Sequence, residues 1–346
     1  MMAEALRVML ADKCSGADLR RLLASGASHD STRMRILTDM GLSGACVPEN
    51  LGGLGLSEAD FVLLAETAGR ALLPEPLVEA AGVALPLLAD VAHSQQARDA
   101  LASAISGQIL VVFGHPENPF LCDADTAQAL LLVREGTLYL VSRDAVKLTP
   151  VASADPFRRL SVATWEPSIE IPLVSGASAA ALLDLALDRG ALFAAAQGLG
   201  IAEACIAMAA AHAQQRFQFG APIGANQAVK HLLANAQVKL EFARPVTYVA
   251  AAGIGAQTVR SRARVSHAKL AALEAAEFAA RAAIQVHGAM GYSWDIDVHF
   301  HLKRALALAG AWGSARFHRA RVACLLCEGA LGPEYTFTTT EEIAHA

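Results

Sequence analysis

Arg216, Phe217, Gln218, Phe219 and Gly220, with Ala221-Pro222-Ile223-Gly224 and then Asn226 and Gln227, form one segment whose side chains and backbone could do chemistry. Gln285-Val286-His287-Gly288-Ala289-Met290-Gly291-Tyr292 forms a second. Both interrupt helical patterns. The arginine offers a bidentate cation, the two phenyl rings offer flat apolar faces and the glycine leaves backbone open, a set that suits a pyrophosphate joined to an adenine. The second segment adds an amide side chain and backbone kept thin by glycine. Taken alone, the first segment reads equally well as a helix-ending loop with a solvated arginine. Both segments together, in this order and with helical sequence between them, favour binding.

The chain that must position them has 346 residues, enough for two or three domains with sizeable cores. Apolar residues make up 54%, charged ones 18% and aromatics 5%, so the apolar content is chiefly alanine, leucine and valine packed at close range. This is more apolar surface than one core needs, which predicts an oligomer. The apolar run at 190–202 is broken by Glu203 and closed by Arg216, so no membrane span is expected, and no signal peptide opens the chain. A net charge of −5 with scattered signs lacks the basic patch of a nucleic-acid binder. Six cysteines, at 14, 46, 122, 205, 324 and 327, do not have the dense spacing of a secreted disulfide scaffold, and a cytoplasmic protein is expected. Cys324 and Cys327 make a lone C-x-x-C in an apolar helical run, read as buried thiols with no metal assigned.

Residues 1–105 read as helices joined by short turns, with apolar positions at helical spacing in Leu6-Arg7-Val8-Met9-Leu10 and Phe61-Val62-Leu63-Leu64. The loop at 41–55 has too many glycines for a helix and ends at Ser57, a candidate N-cap. Over 106–174 the pattern changes to short apolar runs at 109–113, 130–133 and 137–141, the last two forming a hairpin with Gly136 in its turn. Ser178 is read as the cap of a return to helix, at about 179–215, 223–252, 258–287, 295–310 and 313–330. The C-terminal part, 175–346, is then a bundle. Its first helix is rich in Gly and Ala, which implies close helix contact, and this bundle is expected to form the subunit interface. The fold class is α+β, mainly α: an N-terminal helical domain, a small middle β domain and a C-terminal helical bundle.

The two opening segments closely resemble the acyl-CoA dehydrogenase signatures R-x-x-F-G-x-P-I-x-x-x-Q and Q-x-H-G-G-x-G-Y, and the 41–57 loop resembles that family's G-L-x-x-x-x-V-P-E-x-x-G-G-L-G-x-S. The resemblance implies FAD-dependent α,β-desaturation of an acyl-CoA thioester, with electrons passed to an electron-transfer flavoprotein or similar acceptor. It also implies that these segments reach across a dimer interface to the FAD of the neighbouring subunit. Arg216 would pair with the pyrophosphate, while Gln218, Phe219, Asn226 and Gln227 would line the adenosine half. Gln285, Val286, His287, Gly288 and Ala289 would complete it, with a methyl group at Ala289 where the family has a second glycine.

Three departures fall together. The T-E-x-x-x-G-S-D segment is replaced by Phe113-Gly114-His115-Pro116-Glu117-Asn118, and no W-I-T-N strand is present. The base is missing as well. In the family it is a carboxylate 27 residues beyond the first Gln of the second motif, or 26 before the motif arginine; here those positions are Trp312 and Gly190. Asp188 lies two residues from the second position, on the wrong helical face. No catalytic residue is therefore assigned. The resemblance implies the non-catalytic subunit of a heteromeric α2β2 enzyme of the actinobacterial steroid side-chain type. A homomeric dehydrogenase with an unrecognised base, or a structural or regulatory relative without flavin, are the alternatives.

Overall fold

The computed structural model describes residues 1–167 and 171–328. Helices fill the first part of the chain: α1 (Met2–Lys13), α2 (Gly16–Ser25), α3 (Ser31–Asp39), α4 (Glu58–Arg70), α5 (Leu77–Glu79), α6 (Leu85–Asp90) and α7 (Gln95–Ile105). A wide π turn over Ala80–Ala84 links α5 to α6. Ser57 does cap α4: its hydroxyl accepts the Asp60 N–H at 3.2 Å, and the Asp60 carboxylate accepts the Ser57 N–H at 3.3 Å. In the loop before it, a side chain at Gly53 would fall 2.0 Å from the Val47 carbonyl oxygen, so the glycine is fixed by backbone contact.

Among the described residues seven strands follow: β1 (Val111–Phe113), β2 (Leu121–Cys122), β3 (Ala129–Arg134), β4 (Thr137–Ser142), β5 (Lys147–Val151), β6 (Leu160–Thr164) and β7 (Ile171–Ser175). They form a sheet in the order β1-β3-β4-β7 and a second in the order β2-β6-β5. β3 and β4 are joined through Glu135 and Gly136 at φ 50° and 71°, with Arg134 opposite Thr137. Two positive φ values are what a two-residue hairpin turn requires, and Gly136 supplies the easier one.

The longest helix, α8 (Gly176–Gln215), runs 40 residues, about 60 Å, and starts behind Ser175 rather than at the expected Ser178 cap. Its cap hydroxyl makes no hydrogen bond to the first turn, so local chemistry did not mark the start. Behind it come a short hairpin of β8 (Phe217–Gln218) and β9 (Ala221–Pro222), then α9 (Gln227–Gly253), α10 (Val259–His287), α11 (Val298–Gly310) and α12 (Ala315–Glu328). Residues 223–225, read from the sequence as helix, form a 3₁₀ turn instead. The expected helix to 330 and the bundle to 346 extend outside the described residues.

The glycines of α8 mark close contact inside this chain. A Cβ at Gly200 would lie 1.9 Å from the Glu66 carbonyl oxygen and one at Gly69 would lie 2.3 Å from that of Gln197, so α4 and α8 cross with their backbones touching. Gly198 meets Leu273 and Ala272 of α10 in the same way. These small residues thus serve the chain's own core. An exposed apolar stripe lies elsewhere, on α9: Val238, Phe242 and Val249, at 52%, 75% and 51% exposure. α8 is long and apolar enough to cross a membrane, yet 78% of its most apolar window is buried within the chain. The mainly helical α+β architecture expected from the sequence is the one observed. Cys324 and Cys327 are exposed on α12, not buried as expected, because this last helix offers them no covering layer among the described residues.

Candidate functional site

The first segment stands out from the protein surface as a hairpin. Phe219 and Gly220 form its turn at φ 51° and 80°, and Phe217 and Phe219 are 60% and 102% exposed. Arg216, at the end of α8, is exposed and makes no ion pair among the described residues. Its carbonyl accepts the Ile223 N–H at 2.8 Å, which folds the following 3₁₀ turn back against the end of α8. Asn226 precedes α9 without capping it: its amide donates to the Ile223 carbonyl at 3.1 Å, so no side chain occupies the first N–H groups of this helix. Gln218, Asn226 and Gln227 are exposed beside it. An uncapped helix start next to an arginine and two bare phenyl rings favours an anion with a flat group attached.

The second segment lies against the first. His287 stacks on His212, four residues before Arg216, with ring centroids 4.2 Å apart. The His287 Nδ1–H donates to the Ala283 carbonyl at 2.7 Å, and burial, His287 and Arg216 together hold the His212 pKa below its ordinary value. This histidine pair ties the ends of α8 and α10 together, and neither motif spacing nor periodicity announced it. Gln285, Gly288 and Ala289 are exposed, whereas the side chains of Val286 and His287 are buried in this chain. Those two residues present little surface in this chain. Gly288, at φ 64° and ψ −141°, sits where only glycine is at ease.

The residues of the chain's own catalytic half are arranged differently. Trp312 is 3% exposed and its indole lies over Gly190, where a Cβ would come within 2.1 Å of the ring. The two positions at which the sequence comparison sought a base are thus in contact with one another, and the indole fills the space between them. Phe113 stacks on Trp312 at 6.1 Å and 30°. Asn118 Oδ1 accepts the Trp312 N–H at 3.1 Å, so the segment standing where a flavin-binding motif was sought instead fastens the tryptophan. The space left beside it, among Glu79, Phe113, Asn118, Cys122, Arg158 and Trp312, is about 20 Å³, room for about one water. A flavin ring does not fit there. Asp188 is buried and held by Arg321 at 2.5 Å, with burial raising its pKa. The outward segment thus leaves a guanidinium, ring faces and backbone open, while the space beside Trp312 is filled.

The turn carrying Trp312 is clamped from below. Lys269 Nζ donates to the carbonyls of Leu308 and Ala311 at 2.6 and 2.7 Å. His318, wholly buried, uses Nε2–H to donate to the Trp312 carbonyl at 2.9 Å and Nδ1 to accept from the Ser266 hydroxyl at 3.1 Å. Burial pushes the pKa of His115, His301 and His318 down to about 4. Each is neutral in the folded protein but takes up a proton near pH 6.5 once unfolded. The stability they contribute is fully present above about pH 6.5 and is lost as pH falls to about 4, on the order of 1 kcal/mol per histidine per pH unit. Urea midpoints measured across this window should fall with pH, and His318→Gln should make the fall shallower.

A mainly helical chain with a two-sheet middle part and a C-terminal bundle has the acyl-CoA dehydrogenase fold. The N-terminal and C-terminal domain models of the acyl-CoA dehydrogenases match residues 1–108 and 180–326, and the chain belongs to that family, flavoprotein oxidoreductases acting on acyl-CoA. It is 33% identical to the acyl-CoA dehydrogenase IpdE2 of Mycobacterium tuberculosis over 88% of this chain and 90% of that one. In fold it is similar to a steroid ACAD variant, with a TM-score of 0.83 at 22% identity, covering 96% of this chain and 98% of the other. It is also similar to a chain of the ChsE4-ChsE5 complex from Mycobacterium tuberculosis, with a TM-score of 0.82 at 23% identity, covering 95% and 96%.

Proposed function

We propose that this chain is the base-lacking subunit of a heteromeric acyl-CoA dehydrogenase, completing the FAD site of a catalytic partner in an α2β2 assembly. The observation that carries the reading is the contrast between the two halves: Trp312 closes the space over Gly190, while Arg216 and its hairpin are exposed. Arg216 pairs with the pyrophosphate. Gln218, Phe219, Asn226 and Gln227 line the adenosine, and Gln285, Gly288 and Ala289, with backbone from Val286 and His287, complete that half. When bound, FAD supplies the acceptor for the β hydride of the acyl thioester, and the base that removes the α proton belongs to the partner. The exposed stripe of Val238, Phe242 and Val249 supports association through the bundle. This reading divides the chain into helical parts at 1–105 and 175–346 around a β part at 106–174. It takes steroid side-chain CoA esters as the substrate class, an electron-transfer flavoprotein or similar acceptor, and a cytoplasmic location.

The test is flavin stoichiometry. The complex with the catalytic subunit should hold about one FAD per two chains, and the isolated chain should purify without flavin. An isolated chain that carries one FAD per subunit and turns over acyl-CoA would overturn the proposal. A further prediction concerns Trp312, whose indole N–H can only donate and so cannot take a proton from substrate. Trp312→Phe in the complex should leave turnover within a few fold of the unaltered enzyme in steady-state assays, since a ring of similar kind still fills the space.

A further inference from the structure

We propose that the turn carrying Trp312 is an acid-released plug: proton uptake by the two basic groups buried beneath it, Lys269 and His318, lifts the indole off Gly190. The turn is held in a conformation that its own backbone does not favour. Trp312 and Gly313 stand at φ 55° and 92°, and a left-handed tryptophan persists only where its surroundings fix it. Hydrogen bonds from other segments do the fixing. Asn118 Oδ1 accepts the Trp312 N–H, His318 donates to the Trp312 carbonyl, and Lys269 donates to the carbonyls of Leu308 and Ala311 at the end of α11.

Lys269 is 2% exposed and His318 0%. Two arginines face them, Arg158 and Arg321, and these occupy the nearby carboxylates, Glu79 at 2.8 Å and Asp188 at 2.5 Å. Burial and then Arg158 bring the Lys269 pKa down to about 7 against a smaller pull from Glu79, and burial and then Lys269 bring that of His318 down to about 4. Water has a way in. A hollow of about 190 Å³, room for several waters, lies between α10, α11 and α12, and its lining includes Lys269 with Glu274, Glu277 and Arg319. Glu274 and Glu277 are themselves paired, with Lys239 and Arg281. A base that is neutral when buried and charged when exposed favours the exposed state as pH falls. Seated, His318 stays neutral down to about pH 4, whereas in water it charges below about pH 6.5. Seated, Lys269 charges only below about pH 7, whereas in water it is charged throughout the neutral range. Between about pH 8 and 5.5 each group therefore raises the ratio of released to seated turn about tenfold, and the two together about a hundredfold.

Amide hydrogen exchange in the full chain, corrected for the intrinsic rate at each pH, reads the release. Protection over 311–317 should fall about a hundredfold from about pH 8 to 5.5. It should also stay below the protection over 192–205 of α8 at every pH, because α8 opens only when the core around it does. Two variants assign the effect, each checked by circular dichroism to be folded. His318→Gln and Lys269→Met should each remove about tenfold of the fall over 311–317. His301→Gln, which deletes a buried histidine outside the turn with its pKa also brought down to about 4, should leave the fall unchanged. Protection over 311–317 that does not change with pH would overturn the proposal. So would protection equal to that of α8 throughout, which would mean that the turn opens only with the whole fold, or a fall undiminished in both His318→Gln and Lys269→Met. No flavin or partner enters the measurement, so its failure leaves the heteromeric reading standing.

Discussion

Arg216→Ala is expected to strip FAD from the complex while leaving the subunits assembled. The guanidinium ends α8 at the base of the exposed hairpin, with no carboxylate among the described residues to satisfy it. On the proposed reading its partner is a pyrophosphate, and removing one member of a buried charge pair costs about 2–5 kcal/mol, most of it from the group left unpaired. In affinity that is about thirtyfold to several thousandfold. The visible spectrum of the purified complex and size-exclusion chromatography read the two effects separately. Unchanged flavin content in a complex of unchanged size would show that the arginine does not hold the cofactor. Arg216→Lys should recover only part of the loss, because an ammonium keeps the charge but not the planar fork.

Glu75→Ala should have the largest effect on stability. The Glu75 carboxylate accepts from Arg33 Nε at 2.5 Å and from Arg33 Nη2 at 2.7 Å, and also from the Asp30 N–H at 3.0 Å. Both side chains are 1% exposed or less. Removing the carboxylate strands a guanidinium in the core with only the Lys13 carbonyl, at 2.8 Å, still accepting from it. Breaking a buried pair in this way costs about 3–5 kcal/mol, far above the effect of a surface pair. Urea unfolding would register the loss as a lower midpoint. Arg33→Met with Glu75→Leu, which removes both charges together, should recover most of it. A loss below about 1 kcal/mol for Glu75→Ala would mean that water reaches Arg33.

How much of this could be read in the sequence depends on whether the signal was local. The β3–β4 hairpin was legible because its turn needs positive φ and Gly136 provides it. The Ser57 cap was legible because serine followed three residues later by aspartate satisfies two backbone groups at once. The start of α8 was not, since its cap makes no side-chain hydrogen bond and tertiary packing sets it. The glycines of α8 were read as close helix contact, without the helix that makes it. A Cβ-free stripe shows that something approaches, and only the fold shows that it is α4. At the site, the motif spacing pointed to Arg216 and Trp312, but it could not show that Gly190 and Trp312 touch or that Asn118 accepts the backbone N–H of Trp312 from a segment 194 residues away. Such contacts join distant parts of the chain and leave no period in the sequence.

The overlap of Trp312 with position 190 also bears on the history open to this protein. A carboxylate cannot return at 190 while the indole stands there, because even its Cβ would lie 2.1 Å from the ring. Removing the indole first empties a packed space, and truncating a buried tryptophan costs about 3–5 kcal/mol, a large share of what keeps a domain folded. A glutamate at 312 would meet a pocket sealed by Phe113 and Asn118. No single substitution that brings a carboxylate to either position keeps this packing, so on the proposed reading the arrangement works as a ratchet. On the proposed heteromeric reading, a chain with the indole seated works only beside a partner that keeps its own base.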